Sequence, residues 1–351
     1  MKLRASVLAL LLLASCSNGF TEQPPPTDAG TDAPIAEAEW RPILEELDGA
    51  LLSVWGSSSK DVWSVGGPLG NEGFESLVVR FDGTKWRRLH PGKFESFWWV
   101  HGTGPNDVWM VGEKGRITHW DGTNFREDVS GTTATLFGVY AFAANDVWAV
   151  GGTPEGGGPN DVVLHFDGTA WTPETLPAPA NVALFKVWGT TPGELYVVGE
   201  NAVILRRTGG AWRREGEGVG QARLTTVFGC SPQEVYAVGG RDLLSSDGSG
   251  TWKKEPIEPK LVLNDLNGVS CNNGVVFVAG AGSVKLRKTP TMPWTTDFGK
   301  PPLKDLHAAW VDETGALWGA GGQFTASARP NVRRSGVLAR YAKDVIPTTL
   351  E

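Results

Sequence analysis

Seven times along the chain, a run of about four largely apolar positions, consecutive rather than alternating, ends on glycine. Residues 61–66 read Asp-Val-Trp-Ser-Val-Gly, and close copies stand at 107–112, 146–151, 194–199 and 234–239. Looser copies follow at 275–280 and 316–321. A strand that is apolar at successive rather than alternate positions is one covered on both faces. Around each run the pattern reverts to short extended stretches rich in β-branched and aromatic residues, separated by glycine-bearing turns. In the fourth copy these stretches are 184–189, 195–198, 203–206 and 212–215. Four strands per unit, repeated about every 42 residues, is the period of a β-propeller blade and not of a helical solenoid. The expectation is an all-β, seven-bladed propeller of four-stranded blades.

The third position of every run is aromatic: Trp63, Trp109, Trp148, Tyr196, Tyr236, Phe277 and Trp318. Rings of this size fill the wedge between adjacent blades, so they are read as core. The terminal glycines mark close backbone approach. Asp-Gly pairs at 82–83, 121–122 and 167–168 supply tight turns between third and fourth strands, since glycine accepts positive φ and the carboxylate accepts backbone N–H groups. Fourth strands open on Trp86, Phe125, Trp171, Trp212, Trp252 and Trp294, but the seventh unit has no such strand after residues 337–341. The missing strand is expected from the other end of the chain, at Trp40-Arg41-Pro42-Ile43. That closure leaves no open ring edge.

The ends differ from the repeats. Lys2 and Arg4 precede an apolar run and then Leu13-Ala14-Ser15-Cys16, the layout of an export signal. Residues 17–39 are rich in Pro, Thr, Asp, Ala and Glu and lack core periodicity, as a disordered tether would. The division is therefore 1–15 signal, 16–39 Cys16 and tether, 40–345 propeller and 346–351 tail. The chain carries 32 Lys and Arg against 39 Asp and Glu. Without a basic stripe, that balance argues against nucleic acid as a partner. The five histidines show no close metal spacing, and no phosphate loop or nucleophile elbow is present; no cofactor or metal is expected.

The Leu-Ala-Ser-Cys ending resembles the bacterial lipobox. The resemblance implies cleavage before Cys16 and lipid on that cysteine, hence a membrane partner through the lipid. Ser17 in place of aspartate implies the outer membrane. The repeats resemble those of bacterial Asp-Val-Trp-x-Val-Gly propeller lipoproteins over roughly residues 40–345, and more distantly kelch and photosystem-assembly-factor-like propellers. Residues 245–252 resemble the Asp-box of sialidase-like propellers, a fold element away from catalysis. These resemblances imply a binding scaffold more than any one activity.

Strand order assigns the loops to two faces. Turns between first and second and between third and fourth strands are short and uniform, whereas the other face receives the second-to-third loops and the links between blades. Its insertions, at 68–76, 153–161 and 323–335, mark the expected binding face for protein or glycan. Candidates there are Phe74 with the Trp98-Trp99 pair, as an aromatic platform for sugar or peptide. Arg329, Arg333 and Arg334 form a basic patch suited to carboxylate or phosphate. Glu113 and Glu200 follow motif glycines and are the acids a carbohydrate-active hydrolase or lyase would use at the channel mouth. A structural envelope component is the third reading. His101 replaces an aromatic found elsewhere as Trp55, Tyr140, Trp188, Phe228 and Trp310, and is read as packed and hydrogen-bonded. Cys230 and Cys271 each stand four residues before their motif. Equivalent residues of adjacent blades usually lie beyond the roughly 4.4–6.8 Å a bridge requires, so two free thiols are expected, with a disulfide as the alternative.

Overall fold

The computed structural model describes residues 37–67, 75–176, 180–262, 264–323 and 335–351. They form seven four-stranded antiparallel sheets. Blade 1 runs from its inner strand Ala50–Ser58 outward to Trp86–Leu89, and blades 2 to 6 repeat the order in sequence. The inner strands of neighbouring blades pack on one another about a central axis. Blade 7 is completed by Glu39–Leu47, which lies antiparallel to Gly336–Ala342 with Trp40 opposite Tyr341. The amino-terminal closure expected from the sequence is thus the observed one.

The reason for the consecutive apolar pattern is visible in the second strands. Every residue of Asp61–Gly67 is buried, and all seven motif aromatics are buried between blades. Each aromatic is also part of a layered unit. The third strand places Arg80, His119, His165, Arg206, Arg287 or Arg340 opposite it in six blades. The Arg80 guanidinium lies 4.7 Å from the Trp63 ring and also binds the motif acid Asp61 at 2.8 Å. His119 stacks on Trp109 at 4.0 Å and meets Asp107 at 2.7 Å, and His165 repeats this with Trp148 and Asp146. These histidines stand between motif acid and ring where other blades place an arginine, and for the arginines a desolvated cation–π contact adds about 1–2 kcal/mol.

The motif glycines are required by close approach. A Cβ on Gly66 would strike the Ala50 carbonyl oxygen, and one on Gly239 that of Arg223. The Asp-Gly turns are built as expected: Asp82 Oδ1 accepts the Thr84 and Lys85 N–H groups at 3.0 Å, with Gly83 at φ +89°. The Thr84 hydroxyl and those amides hold the Asp82 carboxyl down at about 2.

Two features differ from the sequence reading. Residues 346–351 are not a tail beyond the propeller. Leu350 pairs in parallel with Trp86, Arg88 N donates to Glu351 O at 2.9 Å, and Ile346 and Leu350 pack on the core of blades 1 and 7. Blade 7 is thereby clasped to blade 1 at both chain ends. Cys230 and Cys271 form a disulfide with Cα atoms 5.0 Å apart, where two free thiols were expected. The cause is a difference in register. In blade 5, Gly229 faces Val235 and Ser231 faces Glu234, so Cys230 is the extra residue of a β-bulge. In blade 6, Cys271 faces Val276 and Asn272 faces Val275 with no bulge. The two cysteines are therefore equivalent in sequence but offset by one position in space, and the offset brings them together.

Candidate functional site

Each inner strand begins on the variable face with a bulge. The pairing skips Leu52, Trp98, Phe137, Phe185, Asn267 and His307 in six blades. Thr225 occupies the same place in blade 5, between Leu224, which faces Gly239, and Thr226, which faces Val238. A bulged residue is freed from the in-and-out alternation of the strand and can be re-aimed. Here one residue from each blade joins a crown at the mouth of the channel. Trp98 meets Phe137 at 4.9 Å and His307 at 6.0 Å, and Phe137 meets Phe185 at 5.1 Å. Around the polar half, Thr225 Oγ1 donates to Asn267 O at 2.8 Å, Asn267 Nδ2 donates to Leu306 O at 2.9 Å, and His307 Nδ1 donates to Leu52 O at 2.7 Å.

The next layer inward is closed by Trp99 and Lys186. The Lys186 ammonium sits 3.9 Å from the Trp99 ring centre and donates to Phe137 O at 2.7 Å and Phe185 O at 3.2 Å. Desolvation pushes this lysine down to about 7. Two layers deeper, His101 stacks on Tyr140 at 4.1 Å, and its Nδ1 accepts the Ala141 N–H at 3.1 Å. Burial holds His101 down at about 3, and burial together with the Lys186 charge holds His307 at about 4. The packed, hydrogen-bonded state read for His101 from the sequence is the observed one.

The candidates from the sequence fall into three groups. Cys16, Phe74, Arg329, Arg333 and Arg334 lie outside the described residues. Trp98 and Trp99 do not share one platform: Trp98 belongs to the crown and Trp99 to the layer beneath it. Glu113 and Glu200 have equivalent structural engagements in blades 2 and 4. Glu113 Oε2 accepts the Ser96 N–H and Glu200 Oε2 the Ala183 N–H, both at 3.1 Å, so each fastens the start of its own blade's inner strand. Glu200 also pairs with Arg223 at 3.3 Å, whose guanidinium lies over Phe185 at 5.3 Å.

Around the crown, the variable face is sticky. Of the six exposed large apolar side chains among the described residues, four lie on its blade links: Phe94 (61% exposed), Val129 (87%), Phe298 (46%) and Leu303 (67%). An open groove of about 370 Å³ runs beside Val129, lined by Lys93, Glu95, Lys114 and Glu127. Sequence reasoning did not single out these four residues, because an isolated apolar residue in a polar link carries no periodic signal. Lys186 was not singled out either, although a lone cation inside the otherwise apolar run 184–188 is a signal that could have found it.

No family model and no curated protein matches the chain. Solved structures match over nearly its whole described length. YCF48 bound to D1 peptide is 16% identical with a TM-score of 0.64, covering 88% of this chain and 100% of that one. Virginiamycin B lyase from Staphylococcus aureus, in a catalytically inactive form with quinupristin, is 12% identical with a TM-score of 0.64, covering 86% and 99%. The RRP9 WD40 repeats are 12% identical with a TM-score of 0.66, covering 88% and 99%. At these identities the likeness is one of fold: the chain is a seven-bladed β-propeller.

Proposed function

We propose that this chain is a lipid-anchored, non-enzymatic binding propeller that engages a segment of a protein partner on its variable face. The observation that carries the reading is the concentration of Phe94, Val129, Phe298 and Leu303 on the links of that face. Exposed apolar side chains gathered on one face of a rigid frame are what a protein interface uses. The structural neighbour YCF48, solved with a D1 peptide bound, supports a peptide or protein ligand over a glycan. The anchor rests on the sequence Leu13-Ala14-Ser15-Cys16, and the outer-membrane location on Ser17. Glu113 and Glu200, each fastened to a backbone amide of a different blade, give the hydrolase reading no support.

Photo-crosslinking in cells tests the face. A crosslinker at Val129 or Leu303 is expected to capture one common protein, whereas Met292 and Val345, exposed at the opposite side, capture none. Capture from Met292 alone, or binding on a glycan array that outcompetes the protein, overturns the reading. Metabolic labelling with palmitate tests the anchor, with label expected in the wild type and lost in Cys16→Ser.

A further inference from the structure

The outer strand of every blade ends its sheet on a row of backbone groups that the blade itself does not pair. Proteins blunt such edges with proline, with cationic side chains or with a covering segment. Six of the seven edges here are blunted in one of these ways. In blade 1 the turn bond from Asp82 N to Lys85 O makes Trp86 and Arg88 the outward residues, and the chain's own end takes them. Arg88 N donates to Glu351 O at 2.9 Å, and Glu351 N donates to Trp86 O at 3.0 Å. The place of Arg88 is held by Pro173 in blade 3 and by Pro42 in blade 7, and neither has an N–H to offer. Blade 5 sets Lys253 and Lys254 on its edge, with Pro256 just beyond. Blade 6 carries Pro293 within the strand, and blade 4 presents Arg213 and Arg214.

Blade 2 is the exception. Its outer strand, Phe125–Asp128, follows the same turn bond, from Asp121 N to Asn124 O. Phe125 and Glu127 therefore stand where Trp86 and Arg88 do, and Val129 continues the outward row. The charges of this strand are matched within the blade: Arg126 pairs with Asp128 at 2.8 Å and Glu127 with Arg116 at 2.9 Å. Val129, at 87%, is the most exposed large apolar side chain among the described residues. The strand also runs between two open grooves. The groove of about 370 Å³ holds the Lys93 and Lys114 side chains, and a second of about 480 Å³ is floored by Phe166 and Trp171 of blade 3. A strand laid along a sheet edge sends alternate side chains to the two faces of the sheet. Here each face opens into a groove, one ionic and one aromatic.

We propose that the partner segment binds as an extended strand added to the edge of blade 2, pairing its main chain with Phe125, Glu127 and Val129. Its polar side chains alternate toward Lys93 and Lys114, and its apolar ones toward Phe166 and Trp171. The proposal rests on the variable-face reading above and names the form of that ligand: an extended, amphipathic stretch of polypeptide recognised chiefly through its backbone.

The test uses the full chain and, as probe, a phage-displayed library of random linear peptides. Enriched peptides are expected to alternate polar and apolar residues. They should slow amide exchange at Phe125, Glu127 and Val129 and leave Arg126 and Asp128, already bonded to the third strand, unchanged. Val129→Pro removes one outward N–H at a position where blade 5 has Pro256. It is expected to weaken binding roughly threefold to tenfold, the loss of one backbone hydrogen bond. Val129→Thr, which keeps the N–H, should bind like the wild type. If Val129→Pro fails to fold, the exchange pattern of the wild-type chain decides. No enriched peptide, protection without the alternation, or equal binding to a folded Val129→Pro overturns the proposal. Peptides of that last kind that are lost in Leu303→Asp leave the variable-face reading standing while strand addition falls.

Discussion

Trp252 Nε1 donates to Glu215 Oε2 at 3.1 Å, joining the outer strand of blade 5 to the outer strand of blade 4. The bond is one link of a series. Trp171 donates to Asp128, Trp212 to Glu174, Trp294 to Glu255 and Trp40 to Asp297. Each acceptor stands three residues after the aromatic that opens the preceding outer strand, so one strand supplies both the donor backward and the acceptor forward. Where the acceptor is lost the donor changes too. Leu89 stands three residues after Trp86, and blade 2 accordingly has Phe125. Ile43 stands three after Trp40, and Trp86 turns instead to Pro347 O at 3.0 Å.

Glu215→Ala should therefore destabilise the fold by about 2–4 kcal/mol, because it leaves a buried indole N–H unmet. The same carboxylate also holds Arg206 and Arg213. Urea denaturation measures the change, and a loss below about 0.5 kcal/mol would show that the indole bonds are incidental to blade packing.

The two chain ends act as separate clasps. Deleting residues 40–43 removes most of the regularly paired amino-terminal half of the strand that completes blade 7 and should lower the melting midpoint of the whole domain in one cooperative transition. Deleting 346–351 should cost less and speed amide exchange chiefly at Arg88, whose N–H donates to Glu351 O. Unchanged exchange there would mean the second clasp does not persist in solution.

The Cys230 to Cys271 bridge spans 41 residues. A loop of that size corresponds to about 4 kcal/mol in the chain-entropy account, an upper figure. Cys271→Ser should approach that loss under non-reducing conditions, and mass spectrometry of the native protein should find no free thiol at either position.

Stability should depend on pH through the axis. Lys186 titrates at about 7 when folded against an ordinary 10.5. Between those values the unfolded chain holds a proton that the folded chain lacks, so stability rises with pH across that window and the full penalty applies below it. Lys186→Met should flatten the slope between about pH 7 and 10. His101 at about 3 and His307 at about 4 act in the same sense at lower pH. Stability falls as pH drops below 6.5, and His101→Phe should remove part of that fall. An unaltered pH profile in both variants would refute the assignment.

What the sequence determined by itself was everything that recurs locally: seven blades, four strands in each, buried ring positions, turn chemistry, the amino-terminal closing strand and the sorting of loops onto two faces. These follow because a strand's period, a turn's φ and a ring's need for burial are properties of a few adjacent residues. Tertiary structure decided what depends on register and on seven units meeting at an axis. The offset of one bulge turned Cys230 and Cys271 from equivalent positions into bonded neighbours. Bulges lifted Trp98 and His307, 209 positions apart in sequence, into one crown. Closure of the ring placed Lys186 against Trp99, with no acid among the described residues beside it. A linear pattern carries no distance between blades 2, 4 and 7; that distance exists only once the ring is shut.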